Sequence, residues 1–241
     1  MLKNIKNLLG LNTAPSFPPP CPDAPFYAIG DVHGRLDLLD DVLGQLEPGP
    51  ALVFVGDYVD RGENSAGVLR RLFELSLNSS RQVVCLRGNH EDMMLRFLDD
   101  PARRGSMWLR NGGLQTLASF GISGVAERMD AEGSMRASQA LTQAMGADMI
   151  SWLRALPYQW QSGNIAVVHA GADPKKPIAQ QETQSLVWGH SDFLTTPRQD
   201  GIWVLHGHTI VDQPVFENGI ISVDTGAYAT GRLTVAGVSL E

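Results

Sequence analysis

Three short apolar runs punctuate the first hundred residues. Each gives way to glycine and charged residues, and then to an apolar stripe of helical period. FYAI (26–29) precedes GDVHGR and LDLLDDVLGQL; ALVFV (51–55) precedes GDYVDRG and SAGVLRRLFELSL; QVVCL (82–86) precedes RGNHE and DMMLRFL. β-rich runs alternating with helical stripes predict βαβ units and a largely parallel sheet. Such sheets place ligands beyond the C-terminal ends of their strands. The stretch from about 101 to 160 reads as helix and loop, with ASQALTQAMGADMISWLRAL as a helical segment ending before Pro157. β-type runs return at 164–171, 201–209, 214–224 and 231–240. Asn218-Gly219 between two of these is a type I′ hairpin signal. This half predicts a mixed or antiparallel second sheet. The expected fold is therefore α/β (α+β by some schemes), a central mixed β-sandwich flanked by helices.

A chain of 241 residues with 43% hydrophobic and 19% charged residues can bury a sizeable core as one large domain or two small ones. Residues 1–24 read as a flexible proline-rich tail, with six prolines in TAPSFPPPCPDAP, and 25–241 as one domain. Two cysteines exclude a disulfide scaffold. The net charge of −7 disfavours a broad nucleic-acid surface. No apolar run reaches the length of a membrane span, and MLKNIKNLLGLN lacks the continuity and cleavage site of a signal peptide, so a cytoplasmic protein is expected, without membrane or nucleic-acid partners. Nothing in the pattern specifies an oligomeric state.

One feature recurs at the strand exits. Asp31 and His33, Asp57 with Asp60 and Arg61, Asn89 with His90 and Glu91, His169, and His206 with His208 each follow an apolar run at once. Each has a structural reading when taken alone. Asp31 fits a βα turn, Asp60–Arg61 an ion pair, Asn89 a helix cap, His169 a satisfied core histidine, and Glu91 a carboxylate favoured by a helix N-terminus. Jointly they demand a coincidence of residue type and position. Burial explains the strands, yet polar side chains there are costly unless paired or metal-bound. Carboxylate, imidazole and amide ligands without thiolate suit Mn, Fe or Zn. Six or so ligands exceed one tetrahedral ion and match a two-metal phosphoryl-transfer site.

The ordered set GDVHG, GDYVDRG, GNHE, VVHAG and HGHT resembles the metal-dependent serine/threonine phosphoprotein phosphatases, within the calcineurin-like metallophosphoesterases. WLRNGG (108–113) and VDTGA (223–227) resemble its bacterial and lambda-phage-like branch. The resemblance covers about residues 26–240 and implies the family's helix-flanked β-sandwich. It implies two divalent ions, Mn2+ ahead of Fe or Zn, with Asp31 and His33 on the first, Asp57 bridging, and Asn89, His169 and His208 on the second. Asn89 and Arg61 would also bind the substrate phosphate. His90 would be the general acid, oriented by Asp60, and a hydroxide bridging the ions would attack directly, with no phosphoenzyme. In the segment where the family carries a second phosphate-binding Arg, LVWGHSDF places His190, with Lys175, Lys176 or Arg198 as compensating cations. His206 reads as a group holding a ligand's orientation. Trp108, Trp152, Trp160 and Trp188 read as packing residues, and Arg110 and Asn111 as cleft or loop residues. The implied substrate is phosphoserine or phosphothreonine, and also phosphotyrosine, in a protein or peptide. The competing readings are a symmetrical bis(5'-nucleosyl)-tetraphosphate hydrolase and a catalytically dead metal-binding interaction domain.

Overall fold

The computed structural model describes residues 17–240. Its strands are β1 (Phe26–Ile29), β2 (Ala51–Phe54), β3 (Val83–Cys85), β4 (Gln159–Ser162), β5 (Ile165–Val168), β6 (Trp203–His206), β7 (Val215–Glu217), β8 (Ile220–Ser222) and β9 (Val235–Val238). One sheet has the order β3-β2-β1-β9, the other β4-β5-β6-β8-β7. β1, β2 and β3 are mutually parallel, with Phe26 opposite Ala51 and Leu52 opposite Val83. β5, β6 and β8 are parallel in the second sheet. The α/β sandwich read from the sequence is therefore present.

Its shared core is built from both inner faces. Phe26, Ala28, Val53, Val55 and Leu86 meet Ile165, Val167, Leu205, Ile221 and Val223. Burying each large apolar side chain is worth about 1.5–3 kcal/mol. Helices α1 (Leu36–Gln45), α2 (Ser65–Asn78), α3 (Asn89–Asp99), α4 (Pro101–Trp108), α5 (Leu114–Ser119), α6 (Ala131–Met145) and α7 (Ala147–Ala155) follow the parallel strands. Leu39, Leu69, Leu72 and Phe97 of this layer pack on the outer-facing Ile29, Leu52 and Phe54. Helix α8 (Thr183–Trp188) lays Leu186 on Ala166, Val168 and Val204 of the second sheet. A short α9 (Ala227–Thr230) precedes β9.

Four local features differ from the pattern. The single helix expected over 137–156 is two, divided at Gly146, whose φ of 78° no helix accommodates. β4 was hidden because QWQS is polar; as an edge strand it turns Trp160 inward, onto Phe26 at 4.9 Å between ring centroids, and buries Ser162. β9 leaves the second half and pairs antiparallel with β1, where the turn after β8 returns the chain to the free edge of the first sheet. Part of the proline-rich tail is docked. Phe17 meets Trp203 edge-on at 5.2 Å, the Trp203 indole donates to the Pro18 carbonyl at 2.7 Å, and the Cys21 amide donates to Asn164 at 2.6 Å. Extended proline leaves its carbonyls unpaired and so offers acceptors to such donors. The rest of the tail expectation, residues 1–16, lies outside the described residues. The Asn218-Gly219 hairpin forms as read, both residues having positive φ.

Candidate metal centre

Every candidate ligand leaves a parallel strand at its C-terminal end, and the exits after β1, β2, β3, β5 and β6 meet at one end of the sandwich. The backbone there is unusual. Six non-glycine residues among those described have positive φ: Asn218 in the hairpin, and His33, Asp57, Asp60, Arg61 and His208. Strained φ concentrated on polar residues marks a site over-determined by its surroundings. Two glycines permit the close approach. A Cβ at Gly88 would collide with the Asp57 carboxylate, and one at Gly207 with the Asp31 carboxylate.

Asp57 is the centre. Its Oδ2 lies 3.5 Å from His33 Nε2, and its Oδ1 3.3 Å from His169 Nε2. Asn89 Oδ1 lies 2.8 Å from His169 Nε2 and 2.9 Å from His208 Nδ1. Asp31 accepts the His208 amide at 3.0 Å through Oδ2 and 3.2 Å through Oδ1. Two groups bring ligand atoms within 4.8 Å of one another: His33, Asp57 and His90, and Asp57, His169 and His208. They share Asp57.

The ring nitrogens are already sorted. His33 Nδ1–H donates to the Val59 carbonyl at 2.8 Å, and His169 Nδ1–H to the Val55 carbonyl at 3.0 Å. Each ring is thereby fixed with Nε2 aimed at Asp57, as metal-binding histidines commonly are. The Nε2 lone pair of His169 faces two oxygens, so it must hold a proton or share a cation with them. Charge follows this geometry. Burial opposes protonation of His169, but Asp57 outweighs it and lifts the group to about 9. Burial lowers His33 to about 3 and His208 to about 4. Burial would raise Asp57, yet His169, His90 and His33 hold it well below the usual carboxylate range. The buried carboxylates of Asp31 and Asp57 and the Asn89 amide, set among imidazoles, make a donor set for divalent cations.

His90 belongs to a different arrangement. Its Nδ1 is 2.7 Å from Asp60 Oδ2, and its Nε2 is 3.3 Å from an Arg61 guanidinium nitrogen and 3.9 Å from Asp57. A cation on Nε2 would sit against the guanidinium, whereas a phosphoryl group there would be welcomed by it. Burial opposes its protonation, but Asp57 and Asp60 together raise His90 above the ordinary histidine value.

Other expectations fall outside the centre. His190 accepts the Asp192 amide at 3.2 Å and lies 3.9 Å from Asp173, both within its own loop. Lys175 pairs with Asp192 at 2.7 Å and Lys176 with Glu182 at 2.6 Å. Arg198 is buried against Asp200 and the carbonyls of Asp173 and Lys176. These cations hold the 171–200 loop together. His206 bridges the Gly207 carbonyl and Ser222 Oγ, at 2.9 and 2.8 Å, and so supports the backbone leading to His208. Arg110 and Asn111 bond back to the Ser106 and Met107 carbonyls, as loop organisers.

Sequence reasoning missed four contributors. Glu91 is more than a helix-start carboxylate. Its Oε1 accepts the Tyr58 amide at 2.8 Å and Val59 at 3.3 Å, and its Oε2 accepts Asp57 at 2.9 Å and Gly88 at 3.0 Å, clasping the Asp57 loop to α3. The cap of α3 is Gly88 rather than Asn89, which frees the Asn89 amide for the centre. Asp224 of VDTGA is buried and, after burial itself, is the chief group raising Asp31. Tyr228 stacks on the Arg61 guanidinium at 4.8 Å and meets His33 edge-on. Trp108 is in the core, but its indole N–H serves Asp60. The VDTGA and WLRNGG motifs were the available signals.

The chain has relatives of known family and fold. The family model described as calcineurin-like phosphoesterase matches residues 24–212. A serine/threonine-protein phosphatase 1 of Salmonella typhimurium is 26% identical over 87% of this chain and 90% of its own length. An asymmetrical bis(5'-nucleosyl)-tetraphosphatase of Oceanobacillus iheyensis is 26% identical over 86% and 85%. Other relatives match more strongly over less: serine/threonine-protein phosphatase 2 of Escherichia coli is 39% identical over 36% of this chain, and the chain spans only 38% of its length. The solved cold-active protein-tyrosine phosphatase of a Shewanella species has the same fold, with TM-score 0.60 at 17% identity over 88% of this chain and 75% of its own.

Proposed function

The chain belongs to the calcineurin-like phosphoesterase family, hydrolases of phosphoric esters, and from that premise we propose that it is a metal-dependent phosphomonoesterase for phosphoserine and phosphothreonine in proteins. The observation that carries the reading is Asp57 shared between two donor groups, with Arg61, His90 and Asp60 beside it. Asp31, His33 and Asp57 would hold one divalent ion, and Asp57, Asn89, His169 and His208 the other, with Mn2+ ahead of Fe or Zn. Such a pair supplies charge neutralisation for the phosphoryl group and acidifies water.

The protein's own groups do the rest. The Arg61 fork grips phosphoryl oxygens, held in aim by Tyr228. The Asn89 amide adds a second polar contact. His90 Nε2–H faces the same space and protonates the leaving oxygen, while Asp60 holds Nδ1. No cysteine enters: Cys85 is buried, with its thiol pushed up by burial, and Cys21 lies exposed on the tail. Both thiols are free, which suits a reducing cytoplasm. No helix among the described residues is long and apolar enough to cross a membrane.

A dinucleoside-polyphosphate hydrolase is the second reading, favoured by the Oceanobacillus relative. A dead metal-binding domain is the third, and the His90–Asp60–Arg61 group argues against it, since a structural ion needs none of the three. The test is a Mn2+-supplemented assay on a phosphopeptide, a phosphotyrosine analogue and diadenosine tetraphosphate, resolving ADP from ATP plus AMP. The phosphopeptide should be turned over fastest. His90→Asn should cost about 10²–10⁴-fold in kcat on it; unchanged turnover removes the assigned acid.

A further inference from the structure

Beyond the Trp108 N–H that serves Asp60, WLRNGG and the residues just after it have no role so far in this chemistry, and their place in the structure supplies one. Helix α4 ends at Trp108, a π-helical turn spans Leu109–Gly113, and α5 begins at Leu114. Within the turn the backbone leaves the helix, with φ −96° at Asn111 and 108° at Gly112. On an unbroken helix Trp108 and Thr116 would stand about 12 Å apart along the axis. The kink brings both to one carboxylate. Trp108 Nε1–H donates to Asp60 Oδ1 at 3.1 Å and Oδ2 at 3.0 Å. Thr116 Oγ1–H donates to Oδ1 at 2.7 Å, and Thr116 Oγ1 in turn accepts the Asp60 amide at 2.9 Å. Asp60 and Thr116 are completely buried. Gly112 lies so close to Arg61 N that a Cβ would come within 2.5 Å of it.

We propose that Trp108 and Thr116 are the positioning residues of the general-acid pair. They lock the Asp60 carboxylate so that Oδ2 faces His90 Nδ1–H and Nε2–H faces the leaving oxygen. The inference rests on the reading of His90 as the acid. In the step, the P–O bond breaks with its electron pair going to the leaving oxygen, and the His90 Nε2–H proton bonds to that oxygen. The imidazolium becomes neutral imidazole and keeps Nδ1–H on Asp60. A serine alkoxide needs this proton, whereas p-nitrophenolate leaves without it. Loosening Asp60 should therefore penalise poor leaving groups selectively, which a general loss of structure would not do.

The experiment compares Thr116→Val, Trp108→Phe and Thr116→Ser with the parent, Mn2+-loaded, on a phosphoserine peptide and on p-nitrophenyl phosphate. In Thr116→Val the ratio of kcat on the peptide to kcat on the aryl ester should fall by about 10-fold or more, a fraction of what general acid catalysis contributes. Thr116→Ser should restore it, and in a His90→Asn background Thr116→Val should not change it further. An unchanged ratio, or the same further fall without His90, overturns the proposal. If Thr116→Val does not fold, Trp108→Phe carries the same comparison. If the parent hydrolyses neither ester, the proposed function has failed. Positioning is then read by NMR of 15N-histidine-labelled protein, where the His90 Nδ1–H resonance should be protected in the parent and shifted or lost in Trp108→Phe. An identical resonance in both overturns it.

Discussion

His206 is a buried histidine outside the donor groups, and it makes stability depend on pH. Burial lowers it to about 4, from an ordinary 6.5. The folded form therefore binds its proton less readily than the unfolded chain. Its contribution is complete above pH 6.5 and drains away as pH falls from there towards 4. Denaturant titrations of parent and His206→Gln should show the parent's advantage shrinking over that window, by up to about 3 kcal/mol. A difference that does not vary with pH would mean that the ring is not held neutral. Among single residues, Asp, His and Asn after apolar runs pointed to the centre from sequence. That His33, Asp57, Asp60, Arg61 and His208 adopt left-handed φ was invisible, because only the packed neighbours impose it. Glu91 was underread for a related reason: its four amide partners come from two segments about thirty residues apart in the chain.

Elements were legible where their period was clean. β1 was read to the residue, and the Asn218-Gly219 hairpin followed from turn chemistry alone. Polar β4 and the π-helical turn had no periodic signature, and β9's change of sheet is decided by which edge remains free. The 171–200 loop is the instructive case. The resemblance of LVWGHSDF to the family's second phosphate-binding segment suggested His190 for the phosphate, and the loop's cations as substitutes. The structure spends those charges internally, on Asp173, Glu182, Asp192 and Asp200. Arg61, by contrast, is aimed by Tyr228 and adjoins His90. His190→Ala should therefore change KM for a phosphopeptide by less than about 3-fold, under the roughly 1.4 kcal/mol of a tenfold effect. Arg61→Ala, which removes a charge-assisted fork, should raise KM or lower kcat far more. Equal effects in steady-state kinetics would return His190 to the phosphate site.

For the whole molecule, the two sheets explain why one end of the sandwich is chemically loaded. Parallel strands of both sheets send their C-terminal ends to the same place, and the apolar core between them fixes the spacing. The cost is five buried acids, Asp31, Asp57, Asp60, Glu91 and Asp224, beside the buried His33, His90 and His169. Burial and Asp224 raise Asp31, while burial and Asp57 push Glu91 up to about 7. Without cations the acids must take up protons or lean on imidazolium, as Asp57 does on His169. Divalent ions relieve that repulsion only in the folded chain, so they should stabilise it by mass action. At a thousandfold excess over Kd the gain is about 4 kcal/mol, which for a chain of this size is on the order of 10 °C in Tm. Scanning calorimetry after chelation and verified metal removal should show a fall of that order, reversed by Mn2+. A melting curve that does not move would mean that these side chains are mutually satisfied as they stand, and the case for a two-ion centre would go with it.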